Sequence, residues 1–235
     1  MQLCLALDLA DKQACLNLLA PLQGLNLWVK LGLRGFVREG PVFVEQIQKM
    51  GFKIFLDLKL HDIAYTMQEA ALECAKLGVE MITLHASAGS SALKSVVEPM
   101  RALKGAPLLM GVTILTSLEP LEVEQIYHAP LQNQALHLAK LCFESGLDGV
   151  VCSVFESLAI KQATNAHFLT LTPGIRPNYQ DSQDQKRVGM IQDALSAKAD
   201  FIVMGRPIYN HPKPLEFVSQ ILEQIGGLHA SMHQG

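Results

Sequence analysis

Oppositely charged side chains lie two residues apart in an apolar segment, residues 53–62, which reads as a β-strand followed by a polar turn. Side chains alternate across a strand, so Asp57 and Lys59 share one face with their Cα atoms about 6.6 Å apart. Asp62 follows just beyond the strand. A fixed ammonium group beside a carboxylate can donate a proton and stabilise developing negative charge. The segment is therefore a candidate functional site.

Other interpretations of this segment stay open. Asp57 and Lys59 could form an ordinary ion pair, and Asp62 could be only the N-cap of the next helix. A metal site is another possibility, because Asp57, His61 and Asp62 carry the carboxylate and imidazole groups that bind divalent ions. Lys59 lies between them in the sequence and disfavours a metal, since an ammonium group repels a second cation.

The same segment is one of eight short apolar runs that alternate with amphipathic helical stretches. These runs begin about 28 residues apart on average, the length of a βαβ repeat. Most are apolar at both odd and even positions, which is typical of strands covered on both faces. Eight units in 235 residues predict an α/β fold, a single-domain (β/α)8 TIM barrel; the competing doubly wound sheet usually has five or six strands. The predicted strands are 3–8, 27–32, 53–59, 81–86, 107–115, 149–154, 168–173 and 201–206.

Polar side chains close these strands at the end where barrels bind their ligands. Because all eight ends meet at one rim, we expect these side chains to surround a single mouth. A lone histidine at such an end is more often structural than functional. The ionisable groups that end five of the eight strands are Asp8, Lys30, Asp57 with Lys59, His85 and Arg206.

The last two predicted strands end in glycine-containing segments that suit a phosphate group. Residues 172–177 read Thr-Pro-Gly-Ile-Arg-Pro, and residues 205–207 read Gly-Arg-Pro. Barrels hold phosphate at these two loops through backbone N–H groups, and Arg206 would add a planar, permanent charge. Gly174 and Gly205 could otherwise serve only tight turns. An arginine directly after a glycine at the rim favours the phosphate interpretation.

Composition limits the location and the partners. With 19 Lys+Arg against 22 Asp+Glu the formal charge is −3, which predicts neither nucleic-acid nor membrane binding. No apolar run approaches the length of a membrane span, and the first strand begins too early for a signal peptide. Five separated cysteines predict reduced thiols in a cytoplasmic protein. We expect a barrel over residues 1–226, a mobile loop at 176–187 and a flexible tail at 227–235.

Several motifs of this chain resemble those of the orotidine 5′-phosphate decarboxylase family and follow one another in the same order as in that family. Residues 57–63, Asp-Leu-Lys-Leu-His-Asp-Ile, are similar to its D-x-K-x-x-D-I signature. The resemblance implies a homodimeric TIM barrel, without cofactor or metal, that converts orotidine 5′-monophosphate to UMP and CO2. This reaction is the last step of de novo pyrimidine nucleotide synthesis. The other similar segments are 5–8, 29–32, 112–117, 148–153, 172–177 and 205–208.

The resemblance implies a role for each matching residue. Lys59 would donate the proton, and Asp57 would lie beside the departing carboxylate. Asp62 would reach the active site of the neighbouring subunit, with Thr66 beside it. The residues that would bind the rest of the substrate are Asp8 and Lys30 at the ribose, Thr116 at the pyrimidine, and Arg176, Gln185, Gly205 and Arg206 at the phosphate. Lys30 and Asp8 would also complete an alternating array of charges with Lys59 and Asp57.

The match departs from the family at residues 62–66. The family often reads Asp-Ile-Pro-Asn-Thr where this chain has Asp-Ile-Ala-Tyr-Thr, so Ala64 and Tyr65 change the loop and the implied dimer contact. Mg²⁺-dependent β-keto-sugar-phosphate decarboxylases and synthases share the signature but carry an acidic residue where this chain has Lys30. A non-catalytic nucleotide-binding barrel is the other alternative. It is disfavoured because facing like charges weaken simple binding.

Overall fold

The structure is a computed structural model that describes residues 1–177 and 187–231, with side chains up to residue 226. Each of the eight predicted strands is present in it. Within the described residues the strands are β1 (Gln2–Ala6), β2 (Trp28–Gly32), β3 (Lys53–Leu60), β4 (Met81–His85), β5 (Leu108–Val112), β6 (Gly149–Val151), β7 (Leu169–Pro173), β8 (Ile175–Arg176), β9 (Gly189–Met190) and β10 (Phe201–Met204).

Eight of these strands close into a parallel barrel in the order β1-β10-β7-β6-β5-β4-β3-β2. The predicted (β/α)8 barrel is therefore confirmed, and the open sheet is excluded by the pairing of β1 with both β2 and β10. The short strands β8 and β9 pair separately, with Ile175 opposite Gly189. This pair joins the segment before residues 178–186 to the segment after them.

Helices follow the barrel strands and cover the outside. Asp11 caps the first of them by accepting a hydrogen bond from the Ala14 N–H at 2.8 Å. Gly78 and Gly146 follow the ends of two others with φ of +70° and +87°, a conformation that glycine adopts without steric cost. In the described residues the helices are α1 (Lys12–Leu19), α2 (Leu33–Glu39), α3 (Pro41–Lys49), α4 (Ala64–Lys76), α5 (Ser90–Arg101), α6 (Pro120–Tyr127), α7 (Leu131–Glu144), α8 (Val154–Ala163), α9 (Ile191–Ser196), α10 (Arg206–Tyr209) and α11 (Pro214–Ser231).

Two apolar layers explain why the strands are apolar at both parities. Leu3 and Leu5 face outward and join the large core that the strands share with the helices. Cys4 and Ala6 belong to the second layer, which fills the barrel interior together with Trp28 and the inward-facing residues of the other strands. This interior packing forms the floor on which polar residues at the strand ends can rest.

Some predicted boundaries were displaced. Strands β5, β6 and β10 end two or three residues before the predicted 115, 154 and 206. The apolar pattern continues past them because Ile114 and Val154 are buried in the loop and helix that follow. Helix α11 is described through Ser231, and residues 232–235 lie outside the described residues. The division into a barrel over residues 1–226 and a tail over 227–235 stays a prediction. None of the described helices is both long and apolar enough to cross a membrane.

Candidate active site

A cavity of about 280 Å³ opens at the carboxyl ends of the barrel strands. Its floor is apolar and includes Phe55 and Leu171 from the interior layer. The wall is polar and charged, so the cavity suits a ligand with one apolar face and several polar groups. Six predicted site residues line it: Asp8, Lys30, Asp57, Lys59, Thr116 and Arg176.

Four of these side chains form a row of alternating charges. Lys59 Nζ donates a hydrogen bond to Asp57 Oδ1 at 2.8 Å. On the other side of that carboxylate, Lys30 Nζ lies 3.4 Å from Asp57 Oδ2 and 3.8 Å from Asp8 Oδ1. The order is therefore Asp8, Lys30, Asp57 and Lys59, drawn from three neighbouring strand ends. The ion pair that the sequence left open does form, and it forms inside the cavity and not on an outer surface.

The pKa shifts keep the centre of this row charged at neutral pH. Burial raises the pKa of Asp57, but the charges of Lys30 and Lys59 lower it by a larger amount, so the pKa lies below its ordinary value. A hydrogen bond from Thr83 acts in the same direction. Burial lowers the pKa of Lys30, yet Asp57 and Asp8 outweigh it, so the pKa of Lys30 lies above its ordinary value. A buried carboxylate is thus held ionised between two ammonium groups in the cavity.

Strand β3 presents Asp57 and Lys59 to the cavity in a way that differs from the predicted regular strand. The prediction that both side chains share this face is confirmed, but Lys59 has φ +54°, in the left-handed region. The pairing with β4 is also irregular between Leu56 and Leu60. A bulge therefore replaces simple alternation, and a non-glycine residue holds a strained backbone at the site.

The alternative roles of Asp62 and His61 are not supported. Helix α4 begins after Ile63, and the Asp62 carboxylate accepts a hydrogen bond from the adjacent Ile63 N–H at 2.7 Å, so Asp62 is not the N-cap. His61 stacks on His85, while Asp57 faces the two lysines. The three side chains proposed for a metal therefore do not converge. Asp62 and Thr66 are exposed and do not line the cavity of their own chain.

The phosphate prediction concerns the segments that follow β7 and β10, which are neighbouring strands in the barrel. Gly174 lines the cavity with φ +81°, and Arg176 lines it while being almost fully buried. Gly205 is the N-cap of the short helix α10, and Arg206 is its first residue; neither is part of the cavity lining. Both arginines act electrostatically on Tyr209, as does Asp8, which places this tyrosine among them. Gln185 lies outside the described residues.

A buried ion pair that the sequence did not indicate anchors the loop after β5. Arg187 pairs with Glu156 of α8 and donates to the carbonyl oxygens of Ile114 at 3.2 Å and Leu115 at 3.4 Å. The next residue, Thr116, lines the cavity. Arg187 thus connects the chain beyond residues 178–186 to the wall that carries Thr116. In the sequence it is only the last residue of the predicted mobile loop at 176–187.

His85, which the sequence placed at the rim, takes a structural position outside the cavity lining. Its ring stacks on His61 with centroids 5.0 Å apart and planes at 18°. Its Nδ1 accepts a hydrogen bond from the Ser87 N–H and lies 2.7 Å from the Ser87 hydroxyl. Burial, with smaller effects of His61 and Lys59, lowers the pKa of His85 to about 4.

This lowered pKa predicts an acid-sensitive contribution to stability. In the unfolded chain His85 is protonated below about pH 6.5, whereas in the folded chain it is protonated only below about pH 4. Between these two pH values protonation favours the unfolded chain, so the stability falls as the pH falls. Allowing for the partial exposure of the ring, we expect a loss of about 1 kcal/mol between pH 7 and pH 5. Urea unfolding at both pH values measures it. His85→Asn should reduce the difference and the exposed His167→Asn should not; equal differences in all three proteins would contradict the prediction.

Comparison with known proteins places this cavity in a family. Residues 1–221 match the family model described as orotidine 5′-phosphate decarboxylase / HUMPS family. A protein from Helicobacter pylori (strain Shi470) named orotidine 5′-phosphate decarboxylase is 55% identical over 225 residues, which cover 95% of this chain and 99% of that protein. A protein of the same name from Campylobacter concisus is 50% identical over 226 residues, covering 96% of this chain and all of that protein.

A solved structure agrees with these sequence matches. The crystal structure of orotidine 5′-phosphate decarboxylase from Lactobacillus acidophilus has a TM-score of 0.83 and 34% sequence identity to this chain. The match covers 94% of this chain and 97% of that chain. The likeness therefore extends over nearly the whole of both chains.

Proposed function

Since this chain belongs to the orotidine 5′-phosphate decarboxylase / HUMPS family, we propose that it decarboxylates orotidine 5′-monophosphate to UMP and CO2 in pyrimidine nucleotide synthesis. The observation that carries the proposal is the row of Asp8, Lys30, Asp57 and Lys59 at the cavity. Two ammonium groups alternate with two carboxylates within 4 Å of one another, where a reacting carbon can meet a fixed positive charge.

The chemistry needs such a charge. Loss of CO2 from C6 of the pyrimidine leaves a vinylic carbanion that the ring cannot delocalise. An ammonium group fixed beside C6 stabilises this charge more in the transition state than in the ground state. Lys59 would fill that role and then transfer its proton to C6. Asp57 would face the substrate carboxylate, so repulsion would favour its departure.

The rest of the cavity would hold the nucleotide. Asp8 and Lys30 would bind the ribose hydroxyl groups, and Thr116 would contact the pyrimidine. Arg176 at the cavity wall would bind the phosphate together with Gly205, Arg206 and Gln185, which do not belong to the described lining; the phosphate lies far from the reacting carbon. Binding energy from such a remote group can be used to close a loop and hold the substrate for reaction. The buried Arg176 and the left-handed Gly174 at this wall support the assignment.

The assay that tests this function also separates it from the alternatives. Purified protein mixed with orotidine 5′-monophosphate and no added metal should give UMP, followed by ultraviolet absorbance, at a rate that EDTA does not change. A rate abolished by EDTA would point to the Mg²⁺-dependent sugar-phosphate enzymes of the same scaffold. Tight nucleotide binding by folded protein without turnover would point to a non-catalytic barrel.

We also propose that two chains form a homodimer in which Asp62 and Thr66 complete the neighbouring site. Their exposure outside their own cavity supports this arrangement. Beside them Ile63 is 72% exposed and Tyr65 is 71% exposed, and apolar side chains this open are typical of a contact surface. Tyr65 stands where the family often has Asn, so it would add an aromatic group to that contact.

A cytoplasmic location stays a prediction. Its support is the chemistry of the thiols: all five cysteines are free and buried, and burial raises the pKa of Cys142 to about 12. Such thiols are poorly reactive and suit a reducing compartment.

A further inference from the structure

Thr83 is a buried polar residue that the proposed mechanism has not used. It lies in the middle of β4 with no exposed surface, between the apolar residues Ile82 and Leu84. It does not line the cavity. A hydroxyl group in such a position needs hydrogen-bond partners, because an unpaired polar group in a core is destabilising.

The Thr83 hydroxyl has two hydrogen-bond partners, and they are Lys59 and Asp57, the two residues proposed to act at the reacting carbon. Its Oγ1 accepts a hydrogen bond from the Lys59 backbone N–H at 2.8 Å. The same hydroxyl donates to Asp57 Oδ1 at 3.0 Å. A hydroxyl has one proton to give and lone pairs to accept with, so the two bonds are compatible. One side chain therefore holds the backbone of the lysine and the carboxylate of the aspartate together.

The register of the sheet explains why this bridge exists. Leu56 pairs with Ile82 and Leu60 with Leu84, so three residues of β3 lie opposite Thr83 alone. The two extra residues form the bulge that turns Lys59 into the left-handed region, with φ +54°. At this bulge the Lys59 N–H donates to the threonine hydroxyl of the facing strand. A strained residue persists only where its surroundings hold it.

The same bond fixes the carboxylate. Asp57 Oδ1 accepts from the Thr83 hydroxyl and from Lys59 Nζ, while Oδ2 lies 3.4 Å from Lys30 Nζ. Because both oxygens have partners, the orientation of the carboxylate plane is fixed. The direction from which the Lys59 ammonium group approaches Asp57 is fixed as well. Catalysis depends steeply on such placement, because an error of about 1 Å can cost about 100-fold in rate.

Building on the proposed decarboxylation, we infer that Thr83 is a positioning residue that locks the Lys59 ammonium and the Asp57 carboxylate in their reacting geometry through the β3 bulge. It touches neither substrate nor product. Its removal should therefore lower the rate of the chemical step and leave nucleotide affinity nearly unchanged.

Two substitutions test the inference. Thr83→Val keeps the size of the side chain and removes both hydrogen bonds, whereas Thr83→Ser keeps the hydroxyl. We expect Thr83→Val to lower kcat about 100-fold with KM and the Kd of UMP changed less than about threefold. Thr83→Ser should restore kcat to within about threefold of the original. If Thr83→Val does not fold, the smaller Thr83→Ala removes the same bonds and takes its place.

A matched control separates positioning from general damage to the barrel. Thr170 is also a fully buried strand threonine, but its hydroxyl lies 2.8 Å from the Ser157 hydroxyl, away from the cavity. Thr170→Val should therefore leave kcat within about twofold. The pH profile gives a second readout: the lost hydrogen bond raises the pKa of Asp57, so the acid limb of kcat/KM should move to higher pH in Thr83→Val alone.

The inference is overturned if folded Thr83→Val or Thr83→Ala keeps kcat within about threefold of the original. It is also overturned if the loss lies in KM, or if Thr170→Val loses as much. Failure of the parent protein to turn over orotidine 5′-monophosphate would instead remove the proposed function. In that case the backbone bond would still be measurable as slow exchange of the Lys59 amide, so the two failures are distinguishable.

Discussion

Lys59→Ala should lower the decarboxylation rate by about four orders of magnitude or more while the protein keeps its fold. The substitution removes the proton donor and the positive charge at the developing carbanion, and each effect is large. Stability should change little, since the side chain is 38% exposed and Asp57 keeps its interaction with Lys30. The value of kcat measures the rate, circular dichroism measures the fold, and urea unfolding measures the stability.

Two further variants show which property of Lys59 matters. Lys59→Arg keeps the positive charge but gives up its proton far less readily, so it should stay nearly inactive if proton donation is required. Lys53→Ala removes an exposed lysine from the other end of the same strand and should keep its activity. Most of the activity remaining in Lys59→Ala, or an equal loss in Lys53→Ala, would remove Lys59 from its proposed role.

The barrel and the charged row could be predicted because both depend on local patterns. An apolar strand that ends in a charged residue carries its own signal, as at Asp8, Lys30 and Asp57. Parallel strands in a closed barrel end at one rim, so the ends can be brought together without knowledge of the pairing register. The position of the cavity, at the rim where these strand ends meet, follows from the same argument.

The features that hold the row in place could not be predicted, because they depend on register and on distant partners. The bulge in β3 exists only relative to β4, where Thr83 looked like one more residue of a buried run. Arg187 is 31 residues from Glu156 and about 70 from the carbonyl groups it contacts, so no spacing pattern marks it. Asp62 illustrates a third limit: its implied role lies in another chain, and only the family resemblance indicated it.

The shared site can be tested with a heterodimer of two inactive chains. If Asp62 serves the neighbouring barrel, a Lys59→Ala chain paired with an Asp62→Ala chain leaves one site intact. The site on the Asp62→Ala barrel keeps its own Lys59 and receives Asp62 from its partner; the other site lacks both. Each variant homodimer should lose about 100-fold or more in kcat, and the heterodimer, isolated with two different affinity tags, should recover about half the original kcat per dimer.

A second heterodimer provides the control. Lys30 and Lys59 line the same cavity of one chain, so a Lys30→Ala chain paired with a Lys59→Ala chain has one defect in each site and should stay inactive. Recovery in this pair would mean that lysines also cross between chains. No recovery with Asp62→Ala would mean that Asp62 acts in its own barrel or not at all. Recovery restricted to the Asp62 pair would make the exposed segment from Asp62 to Thr66 a functional part of the partner's cavity, despite the replacement of the family's Pro-Asn by Ala64 and Tyr65.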